Sequence, residues 1–222
     1  MTNWLQHFVL RAITGTLFGF VFWVIFLYAP PICFSLLLAL ITIVVLVFEW
    51  RNFFAPSSWQ FWLIAPWYPI LPFSLLIYLN HIEQYRILLF FLFAIAFAYD
   101  TGAYLVGSLI GEHKIMPHIS PGKSWEGLVG GYTIACCATI IALTEQCLAL
   151  HLLFILLFTA AVCTALLIGD LFESLLKRNA RIKDSGDLLP GHGGFLDRFD
   201  GILFAGFLFF LARNVLLAWL QG

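Results

Sequence analysis

The sequence predicts an all-α, polytopic integral membrane protein, and three observations lead to that fold class. Hydrophobic residues make up 62% of the 222 residues, charged residues only 10%, and the mean hydropathy is +0.98. A soluble domain of this size would have roughly a quarter of its residues charged, so there is too little charge to cover a globule in water. The apolar residues form long continuous runs without the alternation of a transmembrane barrel, which predicts helices.

Seven apolar runs are candidates for membrane-spanning helices, since a bilayer core requires about 20 apolar residues per helix. The third run contains Pro66, Pro69 and Pro72, which predict a kink or a split into two shorter pieces. The first run follows Arg11 and ends at Pro30 without a clear cleavage pattern, so we expect a retained span and not a signal peptide. The candidates are Ala12–Ala29, Ile32–Phe48, Phe61–Leu79, Ile87–Ile110, Leu128–Leu143, Leu152–Ile168 and Ile202–Leu220.

We expect one membrane domain over residues 1–222, made of N-terminal helices (1–95), a motif-bearing catalytic region (96–202) and a last helix (202–222). Seven spans with a cytoplasmic N-terminus put nine of the eleven Lys and Arg residues inside, which is the favoured orientation. Two charged loops, at 111–127 and 169–201, then face the cytoplasm. The expected location is the bacterial inner membrane. Nucleic acid is not an expected partner, because the chain has no basic face or base-stacking module.

The first polar block lies inside the fourth candidate span, and the second directly precedes the fifth. Asp100 begins Asp-Thr-Gly-Ala-Tyr inside an apolar run, where a carboxylate costs about 2.5–3.5 kcal/mol, so it should face a polar cavity or pair with a buried Lys or Arg. The stretch from Ser120 to Gly127 contains Pro and Gly, which prevent helix, and delivers Lys123 and Ser124 just before a helix begins. That placement suits a phosphate, although an interfacial turn anchored by Trp125 is the alternative.

A third block follows the sixth span. If that helix continues, Asp170, Glu173, Ser174 and Lys177 lie on one face by their spacing of three and four residues. Asp170 stands where the apolar run ends. This face therefore presents carboxylates toward the membrane and cations toward water.

The fourth block lies between residues 183 and 200 and is rich in acids, bases and glycines. The turn around His192 contains three glycines, whose bare backbone can approach a phosphate. Asp197 and Asp200 are three residues apart and are therefore neighbours on one helical face. Carboxylates beside basic clusters are what metal-assisted chemistry on a nucleoside triphosphate needs. His192 could act as an acid, donate to a phosphate, or only brace the loop.

These residues resemble the C-terminal motif of the phosphatidate cytidylyltransferases, also called CDP-diacylglycerol synthases. The motif is Ser-x-x-Lys-Arg, then Lys-Asp, then His-Gly-Gly-x-x-Asp-Arg-x-Asp. In this chain it reads Ser174, Lys177-Arg178, Lys183-Asp184, His192-Gly193-Gly194, Asp197-Arg198 and Asp200. The blocks at Asp100–Tyr104 and Ser120–Gly127 also look like that family's, in the right order. The resemblance covers roughly residues 96–202.

The resemblance implies the reaction of CTP with phosphatidate to give CDP-diacylglycerol and pyrophosphate at the cytoplasmic membrane face. It also implies Mg²⁺, with a second cation as an option, and a homodimer is one assembly compatible with it. Asp170 and Asp197 are the expected magnesium ligands. The other expected site residues are Asp184, Asp200, Lys183, Arg198 and His192 in the chemistry, and Lys123, Ser124, Ser174, Lys177, Arg178, Asp100 and Glu126 in substrate binding.

Three rival interpretations stay open. A transporter or channel would use Asp100 and Asp170 as ion sites within the membrane, but it leaves the phosphate-binding features of the cytoplasmic loops unexplained. A CDP-alcohol phosphotransferase would show an Asp-Gly-x-x-Ala-Arg run, whereas Asp200-Gly201 continues as Ile-Leu-Phe-Ala-Gly. A lipid kinase is closer in chemistry and would differ in the nucleotide product.

Overall fold

The computed structural model describes residues 2–143, 145–189, 191 and 193–221, and most of these are helical, as the sequence predicts. A short antiparallel hairpin, β1 (Lys114–Met116) with β2 (Ser120–Ser124), interrupts the helices. The helices are α1 (Thr2–Tyr28), α2 (Pro31–Val44), α3 (Trp50–Phe53), α4 (Trp59–Ile64), α5 (Leu71–His81), α6 (Glu83–Ile110), α7 (Trp125–Ala142), α8 (Glu145–Asn179) and α9 (Leu196–Gln221). Two π-helical turns, Val45–Glu49 and Pro66–Ile70, join α2 to α3 and α4 to α5.

Within the described residues, six helical segments are long and apolar enough to cross a membrane, and Thr14–Tyr28 is a shorter apolar helix. The six segments are Pro31–Phe53, Trp59–His81, Glu83–Ile110, Trp125–Ala142, Leu152–Asn179 and Leu196–Leu220. Each of the seven candidate runs therefore corresponds to a helix. The protein is a multi-pass membrane protein.

The second of these segments, Trp59–His81, is broken near its middle, as its prolines predict. The Ser58 hydroxyl caps its start by accepting a hydrogen bond from the Phe61 amide at 3.3 Å. Tyr68, between two of the prolines, has extended backbone angles of φ −155° and ψ 110° inside the π-helical turn. Since Pro cannot donate a backbone hydrogen bond, the hydrogen-bond pattern of the helix is interrupted at this point.

Contacts divide the chain into two compact units. The first contains Met1–His81 and Leu176–Phe199, and its core is aromatic. The Phe34 ring lies 5.0 Å from that of Phe22 and 4.9 Å from that of Phe26, centre to centre. Helices α2 and α5 are also joined by the buried Asn80, whose amide nitrogen donates to the Pro31 carbonyl at 2.7 Å.

The second unit contains Ile82–Leu175 and Asp200–Gly222. Helices α6 and α7 pack closely, and α6 buries Leu88, Leu92 and Ile95. The Tyr85 hydroxyl donates to the Asn214 side-chain oxygen at 2.7 Å, which joins α6 to α9. Helices α8 and α9 contribute residues to both units.

Candidate active site

The segment before α7 forms strand β2, and it carries Lys123 and Ser124. Pro121 and Gly122 keep this segment out of the helix, as the sequence predicts. The buried Ser124 is the N-cap of α7, and its hydroxyl accepts a hydrogen bond from the Gly127 amide at 3.1 Å. Ser124 therefore has a structural role that the sequence-based assignment to substrate binding did not include.

Lys123 lies against a carboxylate of α8. Its ammonium forms an ion pair with Asp170, whose other oxygen accepts a hydrogen bond from the Ser174 hydroxyl at 3.3 Å. Burial alone would lower the pKa of Lys123, but the charge of Asp170 and the hydrogen bond to it outweigh burial. The charges of Asp100 and Asp200 act in the same direction, so the pKa of Lys123 is raised above its ordinary value. Lys123 is thus held as a cation.

Asp170 belongs to what we call the acidic cluster, which consists of Asp100, Asp170, Glu173 and Asp200. Glu173 is buried, and its carboxyl group makes a hydrogen bond with that of Asp200. Asp200 Oδ1 also accepts a hydrogen bond from the Gly201 amide at 2.6 Å. Asp100 is exposed on α6. The charges of three of these acids, Asp100, Asp170 and Asp200, act on the Lys123 ammonium, and the same three were predicted as site residues.

Asp197 is the centre of a separate cluster in the first unit. Lys177 Nζ donates to Asp197 Oδ1 at 2.7 Å, and both side chains are largely buried, at 12% and 5% exposed. Asp197 Oδ2 accepts hydrogen bonds from the Ser185 amide at 2.9 Å and the Gly194 amide at 2.8 Å. The Ser185 hydroxyl lies 2.9 Å from the same oxygen. One oxygen of Asp197 thus faces a cation, while the other fastens the loop before α9.

Glu49 joins this cluster and was missed in the sequence. It is fully buried in the first π-helical turn, at 0% exposed. Its Oε1 accepts a hydrogen bond from the Phe195 amide at 2.7 Å, and its Oε2 accepts one from the Leu196 amide at 2.8 Å. A lone acid in an apolar run was the signal, and it is the same signal that singled out Asp100.

The remaining predicted residues lie toward the surface. Glu126 Oε1 lies 2.5 Å from His113 Nδ1 at the start of α7. Four residues of the long loop and its flanking helices are exposed: Arg178, Lys183, Asp184 and Arg198. His192 and Pro190 lie outside the described residues. Gly191 and Gly193 adopt positive φ angles of 79° and 77°, so the expected glycine turn is present where the chain is described.

A family model described as the cytidylyltransferase family matches residues 2–216, which is nearly the whole chain. The chain belongs to the cytidylyltransferase family. This confirms the resemblance drawn from the motif between Ser174 and Asp200.

Curated relatives of this chain carry a more specific name. A phosphatidate cytidylyltransferase of Bacillus subtilis is 41% identical over 177 residues, covering 78% of this chain and 64% of the relative. One of Haemophilus influenzae is 35% identical over 187 residues, covering 70% and 62%. One of Mycobacterium bovis is 50% identical over 106 residues, covering 48% and 34%. The chain spans less than two thirds of the length of each of these relatives.

The acidic cluster has the donor chemistry that Mg²⁺ prefers, since all its side-chain donors are carboxylate oxygens. The contact between Glu173 and Asp200 supports the fit, because two carboxyl groups in hydrogen-bonding contact need a proton or a cation between them. In the described part of the chain, no three acidic, imidazole or thiol side chains converge as a ready-made metal site, and the Lys123 ammonium lies against Asp170. A metal at this cluster would therefore compete with the Lys123 ammonium for Asp170.

Proposed function

We propose that this cytidylyltransferase transfers a cytidylyl group from CTP to phosphatidate, giving CDP-diacylglycerol and pyrophosphate. The observation that carries the proposal is that the region resembling the family pairs lysines with carboxylates in both units: Lys123 with Asp170, and Lys177 with Asp197. Lysines bind phosphates and carboxylates bind a divalent cation, which are the two needs of a reaction between nucleotide and lipid phosphate. The names of the relatives support the same substrates.

In the proposed reaction the side chains mainly position the two phosphate groups. The phosphate oxygen of phosphatidate is already an anion, so its attack on the α-phosphorus of CTP requires little general base catalysis. A P–O bond forms to the lipid phosphate, the bond to the β-phosphate breaks, and pyrophosphate leaves with its electron pair. The protein must hold the phosphate of phosphatidate and the phosphates of CTP in the geometry for attack although they repel each other. Cations that are already fixed in place do this without reorganising during the reaction.

The cations divide by their burial. Lys123 and Lys177 are held partly buried against carboxylates, at 29% and 12% exposed, and are suited to fixing phosphates at the point of reaction. Arg178, Lys183 and Arg198 are exposed and are suited to attracting CTP from water. Asp184 follows Lys183 in the chain, and we propose that it orients these cations.

Asp170, in the acidic cluster of the second unit, and Asp197, in the separate cluster of the first unit, are the proposed magnesium ligands, and each has an oxygen that contacts lysine in this structure. When bound, the ion would neutralise charge on the phosphate oxygens. The resemblance leaves room for a second cation, and Asp200 is a further oxygen donor. We further propose that the reacting groups face the cytoplasm of a bacterial inner membrane, because that orientation keeps nine of the eleven basic residues inside.

The test is an assay on detergent-purified protein with phosphatidate, labelled CTP and magnesium, with EDTA as a control. Formation of CDP-diacylglycerol with equimolar pyrophosphate, abolished by EDTA, is the expected result. Asp170→Asn should lose activity by roughly a hundredfold or more, as expected for a group that holds charge in the transition state. Asp187→Asn is the matched control, because Asp187 is an exposed acid of the long loop.

Three outcomes would contradict the proposal. A phosphorylated lipid with release of CDP would indicate a kinase. Ion flux in liposomes without CTP, together with no nucleotide transfer by folded protein, would favour a transporter. Equal activity of Asp170→Asn and Asp187→Asn would remove Asp170 from the site.

A further inference from the structure

Glu49 is a buried acid whose hydrogen-bond partners, among the described residues, belong to one distant segment of the chain. Its two oxygens accept hydrogen bonds from the Phe195 and Leu196 amides at 2.7 and 2.8 Å, and the Ser185 hydroxyl lies 3.1 Å from Oε2. Leu196 is the first residue of α9. The first amides of a helix have no partner within the helix and carry partial positive charge, so a carboxylate satisfies them well. Glu49 thus fastens the start of α9.

The loop before α9 is shaped to close on this carboxylate. A Cβ atom at Gly194 would lie 2.6 Å from Glu49 Oε2, and one at Gly186 would lie 3.1 Å from Glu49 Cγ. Only glycine permits the approach at Gly194, since the carboxylate is itself held by backbone donors. Asn52, one helical turn beyond Glu49, adds a second tie by donating to the Ser185 carbonyl at 2.8 Å.

The same loop residues hold Asp197. The Ser185 and Gly194 amides both donate to Asp197 Oδ2, and Gly194 directly precedes the residues whose amides bind Glu49. The Ser185 hydroxyl lies within hydrogen-bonding distance of both Glu49 Oε2 and Asp197 Oδ2. Having one proton, it donates to one of them at a time. Glu49 and Asp197 therefore accept hydrogen bonds from neighbouring groups of the same loop.

We propose that Glu49 is a positioning residue, which acts through the loop at 185–196 to set the orientation of Asp197 and, with it, of Lys177. This inference rests on the proposed function, because the orientation of Asp197 affects activity only if Asp197 serves the reaction. In this proposal Glu49 acts without touching substrate, since it is fully buried and its oxygens accept hydrogen bonds from backbone amides. The unusual π-helical turn at Val45–Glu49 is consistent with the role, since such turns recur at functional sites.

The decisive variant is Glu49→Gln, which keeps the shape but replaces an acceptor oxygen by an amide group that meets a backbone N–H donor. Hydrogen exchange of the amides between residues 185 and 197 should become roughly ten- to a hundredfold faster, as expected for lost hydrogen bonds to a charged acceptor. The turnover number kcat should fall about tenfold, while KM for CTP changes by less than about twofold, because a misplaced Asp197 affects the reaction more than nucleotide capture.

Glu83→Gln is the matched control, because Glu83 is an exposed acid in the first turn of α6. Both of its readouts should equal those of the original protein. Glu49→Asp keeps a carboxylate on a shorter side chain and should recover part of kcat. If Glu49→Gln does not fold, Asn52→Ala loosens the same loop by removing its second tie and is judged by the same two measurements.

The exchange measurement needs no substrate, so it separates this inference from the proposed function. Unchanged exchange at 185–197 in a folded Glu49→Gln protein overturns the inference, and so does faster exchange with unchanged kcat. An original protein that makes no CDP-lipid, yet shows the faster exchange in the variant, overturns the proposed function and leaves Glu49 a structural tie.

Discussion

Replacing Gly169 by alanine should disable the acidic cluster by forcing two helices apart. Gly169 directly precedes Asp170 on α8, and it contacts the backbone of α9 at Asp200 and Gly201. A Cβ atom at Gly169 would lie 2.5 Å from the Asp200 carbonyl oxygen and 2.8 Å from Gly201 Cα. Both neighbours are backbone atoms, so neither can rotate away.

The size of the displacement follows from these distances. Ordinary contact of a Cβ atom begins at 3.4 Å, so the distance to the Asp200 oxygen is about 0.9 Å too short. The helices must separate by about that amount, which shifts Asp170 relative to Asp200. A misplacement of about 1 Å at reacting groups costs roughly a hundredfold in rate, and overpacking costs about 1–3 kcal/mol of stability.

The assay is cytidylyl transfer by the purified variant, together with its melting temperature in detergent. Gly169→Ala should retain about 1% of kcat/KM with a modest fall in melting temperature. Gly19→Ala is the control, because a Cβ atom at Gly19 in α1 meets nothing within 4 Å. There alanine should be neutral or stabilise by up to about 1 kcal/mol. If Gly169→Ala is as active as the original protein, the reasoning is refuted, because the close approach of α8 and α9 at Gly169 would then not matter for activity.

Three further predictions concern single contacts. Ser124→Ala removes the cap of α7 and should destabilise by about 1 kcal/mol in a melting experiment, with Ser108→Ala, an exposed serine of α6, as control. The pKa of Lys123 is raised in the folded protein. Its charge therefore stabilises the fold in full below the pKa of lysine in the unfolded chain, about 10.4, and this stabilisation is lost only at higher pH. The melting difference between the original protein and Lys123→Met should therefore stay constant from about pH 7 to 9, and a difference that shrinks in that range contradicts the raised pKa. Lys177→Met leaves Asp197 buried and uncompensated, costing about 3 kcal/mol, whereas adding Asp197→Asn should restore most of that stability without restoring activity.

The spans were predictable because the bilayer imposes a length and a composition on each helix. The ends of the helices were less predictable, because a helix continues as long as its backbone hydrogen bonds do and need not end where the apolar run ends. The run Leu152–Ile168 belongs to a helix that continues to Asn179, and this continuation puts Glu173, Ser174 and Lys177 on one polar face. The hairpin before α7 was missed because it depends on pairing between Lys114–Met116 and Ser120–Ser124, which no periodicity in so short a segment indicates.

The site divides in the same way. Contacts between residues that are close in the sequence could be predicted. Asp170 and Ser174 are one turn apart on a helix, and their contact at 3.3 Å follows from that spacing alone. Glu49 could be recognised as unusual but not assigned a role, because its partners lie 136 to 147 residues further along the chain. A buried carboxylate needs donors, so a lone acid at the end of an apolar run predicts that some segment comes to it. The rule therefore predicts that a partner exists, and only the fold identifies it as the start of the helix that carries Asp197.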